Sequence, residues 1–336
     1  MHAGAHKTGT TAIQAVLSDH REELSECGLY YPDSKPFLGG SHQAHHELAH
    51  ALSGVDSDAV AAALQFLEYI ASEARADQTV LLSAEAFYRH LAGVDGWIHN
   101  NYWLLRRRYL RDVAKALAGF EVRVLLVLRR PDEFAESLYK EAITRDFYWG
   151  PFERFIDDWP MVFDYNGQVE AFRAAFGEVA VRSYHEGPVV ETFFDAVGVA
   201  MPEGVGEVWK RRSPDTRLIV WMADSDPKDR KRQREFVLSS EAQELFDGTS
   251  RMSLWSSASQ RNEFLAQFGG EFGTGFFPSP PPWIGELAAL SETDRARIDR
   301  AYADWCGPPW ERMPRRRRRL FIKIARKFWF SSPFRG

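Results

Sequence analysis

Short apolar runs alternate along the N-terminal part of the chain with stretches whose apolar residues recur every third or fourth position. The runs are Thr79–Ser83, Glu121–Leu128 and Val179–Tyr184. Each has the length and apolar content of a buried strand, and the middle one is the clearest. Between them the helical period predicts Ala12–Gly28, carried by Ile13, Val16, Leu17 and Leu24 and stopped by Gly28. It also predicts His45–Leu52, the strongly amphipathic Asp58–Ala74, a basic helix Leu104–Leu117, Pro131–Thr144 behind its proline start, and Pro188–Val197. Gly39–Ser41 reads as a loop. Strands alternating with helices predict an α/β fold with a parallel sheet, and ligands in such sheets bind beyond the carboxyl ends of the strands. The later chain is less regular: Phe272–Trp283 reads as an ordered loop and Ser291–Trp305 as a helix.

Composition narrows the class. The chain has 336 residues, 45% of them apolar, enough for one large α/β domain with an appendage. Its two cysteines, Cys27 and Cys306, form no disulfide framework and point to a reducing compartment. No apolar run reaches the length that crosses a bilayer, and the start lacks the apolar core of a signal peptide, so a cytoplasmic protein is expected. The net charge of −5 conceals an asymmetry. Nine basic and no acidic residues lie between Arg315 and Gly336; without them, 33 basic face 47 acidic residues, a net −14. An acidic body argues against nucleic acid as a partner.

The segment Gly4-Ala5-His6-Lys7-Thr8-Gly9-Thr10-Thr11 stands directly before a predicted helix. Glycines let a backbone fold around an anion, so that successive N–H groups and the helix N-terminus face it. Lys7 adds a point charge, and Thr8, Thr10 and Thr11 add hydroxyls. This is not a Walker A loop, because Lys7 precedes Gly9 by two residues instead of following the last glycine. The other reading is a helix start rich in Thr and Gly with no ligand. His6-Lys7-Thr8-Gly9-Thr10-Thr11 resembles the phosphosulfate loop of sulfotransferases dependent on 3′-phosphoadenosine-5′-phosphosulfate (PAPS), particularly bacterial members with a Lys-Thr-Gly-Thr-Thr core. The resemblance implies a three-layer P-loop fold with a central parallel sheet. It assigns Lys7 to the phosphosulfate and to charge on the leaving nucleotide, with Thr8, Gly9, Thr10 and Thr11 as further donors. That family has a full strand before the loop. Here only Met1-His2-Ala3 precedes it, so the loop is expected to be poorly anchored on the sheet.

A second anion site is predicted after the best strand. Arg129 lies at its carboxyl end, and Ser137 follows eight residues later in the Pro131–Thr144 helix. A forked guanidinium with a hydroxyl makes an anion clamp, although Asp132, Glu133 or Glu136 offers Arg129 an ordinary ion pair instead. The same family binds the donor's 3′-phosphate with a strand-end Arg and a Ser at this spacing. The resemblance therefore assigns Arg129 and Ser137 to that phosphate, with Arg130 as the alternative. It extends over roughly Met1–Gly198.

Sulfuryl transfer also needs a base near the acceptor oxygen. Glu85 follows the strand Thr79–Ser83 at the ligand edge; it is either that base or a cap for the next helix. His42, His46 and His50 would share one helical face, with His45 beside them, and His46 is the second candidate. Such a face can equally be polar surface, and no metal is expected. The aromatic segments Phe147-Tyr148-Trp149 and Phe276-Phe277 can stack on sugar rings or pack in a core.

The last segment, 314–336, follows the expected sulfotransferase domain of 1–313. Leu320–Trp329 places its apolar residues on one side of a helix and Arg319, Lys323, Arg326 and Lys327 on the other. That basic amphipathic helix suits an anionic membrane surface, at the inner face of the membrane, or packing on the body. Together these features predict sulfuryl transfer from PAPS to a hydroxyl acceptor, a carbohydrate or glycolipid, leaving 3′,5′-adenosine bisphosphate. The alternatives are a P-loop nucleotide-dependent kinase and a non-catalytic membrane-associated protein with a degenerate loop.

Overall fold

The protein is described here from a computed structural model that covers residues 1–5, 8–94, 99–145, 147–205, 213–225, 227–246, 252–269, 272, 275–281 and 290–307. Five strands occur among these residues: β1 (His2–Gly4), β2 (Leu29–Tyr30), β3 (Thr79–Val80), β4 (Val124–Leu128) and β5 (Val179–Ser183). One parallel sheet has the order β1-β4-β5, with His2 opposite Leu125 and Val124 opposite Val179. A second pairs β2 with β3, also in parallel. The chain leaving β3 then bridges the other edge of β1. His2 lies opposite Ser83, its N–H donates to the Leu82 carbonyl (2.7 Å), and its carbonyl accepts from the Ala84 N–H (3.2 Å). This is an α/β arrangement with a small parallel sheet, as the alternation of patterns predicted.

All five residues of β4 are buried, so both faces of the strand are covered. On one face, Leu125 and Val127 join a core cluster with Ile13, Val16 and Leu17 of the helix Thr10–Asp19 and Val190, Phe193 and Phe194 of the helix Val189–Val197. That coverage explains why β4 reads as an unbroken apolar run. β1 is only three residues long, yet it is hydrogen-bonded on both sides, and the Ala5 N–H continues its ladder to the Val127 carbonyl (2.9 Å). The expectation of a poorly anchored loop is therefore corrected: pairing on two edges replaces strand length as the anchor.

The other elements follow their patterns with informative exceptions. The helix expected over Ala12–Gly28 is two helices, Thr10–Asp19 and Arg21–Glu26, because His20 leaves helical geometry at φ −115° and ψ 28°. Ser57–Glu73 forms behind Asp56, whose carboxylate accepts from the Asp58 and Ala59 N–H groups. Tyr102–Ala116, Pro131–Thr144 and Glu292–Cys306 lie where the period placed them. The helices Phe152–Asp158, Pro160–Phe163, Tyr165–Phe176 and Ala258–Phe268 had no clear signal in the sequence.

The described residues fall into two compact units. The first draws on Met1–Leu138, Arg154–Arg212 and Ala258–Pro282 and contains the strands; the second draws on Tyr139–Glu153, Ser213–Ser257 and Trp283–Gly336. In the second, Trp221, Phe236 and Tyr302 pack edge to face, and the Trp221 indole donates to Asp299 (2.8 Å). The basic segment 314–336 lies outside the described residues. No helix among the described residues is long and apolar enough to cross a membrane.

Candidate functional site

The loop after β1 begins with the site's tightest packing. Thr8 and Thr10 are buried, the Thr8 hydroxyl donates to the Ala5 carbonyl (2.8 Å), and their two hydroxyl oxygens lie 3.3 Å apart. A Cβ on Gly4 would overlap the Thr8 hydroxyl. Gly9 is left-handed (φ +75°), and a Cβ there would meet both methyls of Val189 at 2.9 Å. Only glycine suits both the conformation and the space. Gly9 also starts the helix Thr10–Asp19, which has no side-chain cap and no acidic residue in its first turn. No acidic residue of that first turn therefore competes for its N–H groups and dipole. Thr11 is exposed. Lys7 and His6, expected at the centre of this loop, lie outside the described residues.

Two residues before Glu85, Ser83 is the hub of a buried polar network. Its hydroxyl meets His2 Nδ1 (2.8 Å), its carbonyl accepts from the Gln14 amide (3.1 Å), and its N–H donates to His45 Nδ1 (3.1 Å). Because His45 Nδ1 accepts, its proton sits on Nε2, which donates to the Pro32 carbonyl (3.0 Å). Burial pushes His45 down to about 4 and His2 down to about 3, so both are neutral at pH 7. The Glu85 carboxylate raises His2 only in lesser part.

Glu85 stands immediately before the short helix Ala86–Arg89 but does not cap it. It is half-buried and lines a small cleft of about 20 Å³, room for little more than a water molecule, with Gly4, Tyr88, Arg89, Tyr102 and Phe134. The cleft therefore meets the ends of β1 and of the segment after β3. Arg106 holds this wall in place. Fully buried, it donates to the Phe87 (2.7 Å) and His90 (2.9 Å) carbonyls and to Gln168 (3.0 Å). The sequence placed Arg106 in a basic helix with nothing to separate it from its exposed neighbours. The polar hub at Ser83 likewise gave no advance signal.

The histidine reading needs correction. The helix begins at His46, with His45 before it, so His42 does not share its face. His42 is exposed, and its carbonyl accepts from the Arg21 guanidinium. His46 is half-buried at the helix start and is joined by a residue the pattern did not suggest, His90, whose ring lies 5.4 Å from that of His50. Burial first, and in lesser part the basic neighbours that include Arg89 and Arg106, push His90 down to about 3. No group of three potential metal ligands occurs among the described residues.

After β4 the two arginines differ. Arg130 is buried and donates twice to the buried Asp132 (2.6 and 3.2 Å). Arg129 pairs with Glu133 (2.8 Å) at side-chain exposures of 24% and 26%, within reach of solvent. Its guanidinium lies over the Tyr184 ring at 5.3 Å, and its carbonyl accepts from the Tyr165 hydroxyl (2.8 Å). Ser137 is buried on the following helix. Glu133 fulfils the alternative ion-pair reading of Arg129, and the committed Arg130–Asp132 pair makes Arg129 the exchangeable arginine.

The aromatic segments are spoken for. Phe277 packs on Tyr165 (6.2 Å) and Phe276 on Phe272 (5.0 Å). Tyr148 packs on Tyr139 (6.3 Å), while Phe147 and Trp149 remain partly exposed, with the Arg230 guanidinium over the Trp149 ring. Comparison with known proteins gives no matching family model, no matching curated protein and no matching solved structure.

Proposed function

We propose that the chain is a sulfotransferase with a three-layer P-loop fold that moves a sulfuryl group from PAPS to a hydroxyl acceptor. One observation carries this reading. An uncapped helix start, an exchangeable arginine and a carboxylate stand beyond the ends of three adjacent parallel segments: β1, β4 and the chain after β3. β1 lies between the other two, where the chain passes from one side of the sheet to the other, and ligands bind at such a point. The close packing of Gly4 on Thr8 and Thr10 and of Gly9 on Val189 holds the start of that helix in place.

In this reading the donor supplies the activated sulfuryl group, and the chain supplies contacts and a base. The loop N–H groups, the Thr10 and Thr11 hydroxyls and Lys7 hold the phosphosulfate; Arg129 and Ser137 hold the 3′-phosphate. Glu85 takes the acceptor's proton in the cleft, and the Ser83 network and Arg106 fix its position. His46 is the second candidate for base. The acceptor is a carbohydrate or glycolipid hydroxyl. The protein acts in the cytoplasm, and segment 314–336 brings it to an anionic membrane surface.

Calorimetric titration with 3′,5′-adenosine bisphosphate tests the donor site. Saturable binding is expected, weakened about tenfold or more in Lys7→Ala and in Arg129→Ala. No binding by the folded wild type would overturn the reading, and Mg²⁺-dependent ATP turnover would replace it with the kinase.

A further inference from the structure

Glu133 touches three basic side chains at once. Its oxygens lie 2.8 Å from Arg129 Nε, 2.9 Å from an Arg130 terminal nitrogen and 3.4 Å from His185 Nε2. Every neighbouring element contributes a polar group. Arg129 and Arg130 come from the end of β4, Asp132 and Glu133 from the following helix, and Tyr184 and His185 from the turn after β5. Tyr165 reaches in from its own helix, and Glu186 is turned to the Ser183 N–H (2.8 Å) and toward Arg182 (3.9 Å). Among the described residues the two guanidiniums of Arg129 and Arg130 face the two carboxylates of Asp132 and Glu133, so these four sum to zero charge. Burial holds His185 below its ordinary value, and Glu133 opposes that in lesser part.

Glu133 meets Arg129 at Nε, so an anion that takes that edge of the guanidinium must displace it. A monoanion exchanges one singly charged partner for another and gains little. A phosphate monoester brings two charges to the same guanidinium. The released carboxylate still has His185 beside it, and the added negative charge favours the imidazolium. Resting on the assignment of Arg129 to the donor's 3′-phosphate, we propose that Glu133 is a specificity-determining residue. It is a built-in competitor that admits a dianionic phosphate monoester, disfavours monoanionic esters, and makes binding take up a proton at His185.

The test is calorimetry on the full chain in two buffers of different ionisation enthalpy. The ligands are 3′,5′-adenosine bisphosphate and adenosine 2′,3′-cyclic phosphate 5′-phosphate, whose ring-closed phosphate is a monoanionic diester. Glu133→Gln, isosteric and uncharged, is expected to bind the bisphosphate about fivefold tighter and to prefer it less over the cyclic ligand. Wild-type binding is expected to take up protons near pH 7, and His185→Asn to lose that uptake. Thermal unfolding of both variants reports whether they fold. If Glu133→Gln binds no tighter, or wild-type uptake is absent, while Arg129→Ala still weakens binding about tenfold or more, the role of Glu133 is overturned and the donor site stands. If neither folded wild type nor folded Glu133→Gln binds the bisphosphate, both fall.

Discussion

The two anion sites proposed on this sheet are built on opposite plans. After β1, backbone, glycine and buried hydroxyls shape a helix start with no acidic residue in its first turn. After β4, two arginines are met by Asp132 and Glu133 in the first turn of the next helix. The first site is preorganised by packing and carries little charge of its own among the described residues. The second is strongly charged but neutralised internally. In the proposed reading, a ligand at the first would meet a helix start with no side-chain cap, whereas at the second it would compete with a carboxylate. Shape restricts one, and ion exchange the other.

Substitutions can break this contrast. The largest expected loss is in Asp132→Ala, which takes from buried Arg130 the closer of its two carboxylates and leaves it Glu133 alone, and should cost about 3 kcal/mol in chemical denaturation. A loss below about 1 kcal/mol would contradict the division between a fixed and an exchangeable arginine. Acid comes next. His45 titrates at about 4 in the fold and near 6.5 when unfolded, so the unfolded chain binds more protons between those values. Stability is therefore fully present above pH 6.5 and falls as pH drops toward 4, by about 3 kcal/mol from this residue. His45→Gln should flatten that slope in urea titrations at stepped pH. Gly9→Ala forces a side chain into a left-handed position against Val189 and should cost about 1–3 kcal/mol. Pairing it with Val189→Ala should recover the steric part only. The smallest effect is in Glu133→Gln: its pair with Arg129 is partly exposed and the buried Arg130 keeps Asp132, so stability should change by about 1 kcal/mol or less even as anion binding tightens.

Much of the scaffold was legible because its signals are local. β4 is covered on both faces and so spells a continuous apolar run, and Asp56 announces the helix it caps. β2 could not be read, since two residues carry no period. The helices between Phe152 and Phe176 were missed because Pro160 and Gly167 interrupt a segment whose aromatics serve a core assembled from distant parts of the chain. The histidine face failed at His42, where a carbonyl contact to Arg21 replaces the helix. For the candidate site, strand ends and the family resemblance pointed to Arg129, Ser137 and Glu85, but they gave no sign that Glu133 closes on Arg129 or that Ser83, His2 and His45 share a network. Those facts depend on which segments lie side by side.

The short strand β1 also makes a built-in clock for amide exchange. The His2 and Ala5 N–H groups are fixed to Leu82 and Val127, whereas the loop beginning at Thr8 lies only a few residues on. Deuterium uptake should be slow at those paired amides and faster at the Thr10 and Thr11 N–H groups, which open a helix with no side-chain cap. A ligand held by the loop would move the fast positions and leave the slow ones untouched. A single peptide from the start of the chain would then carry both the reference and the reporter.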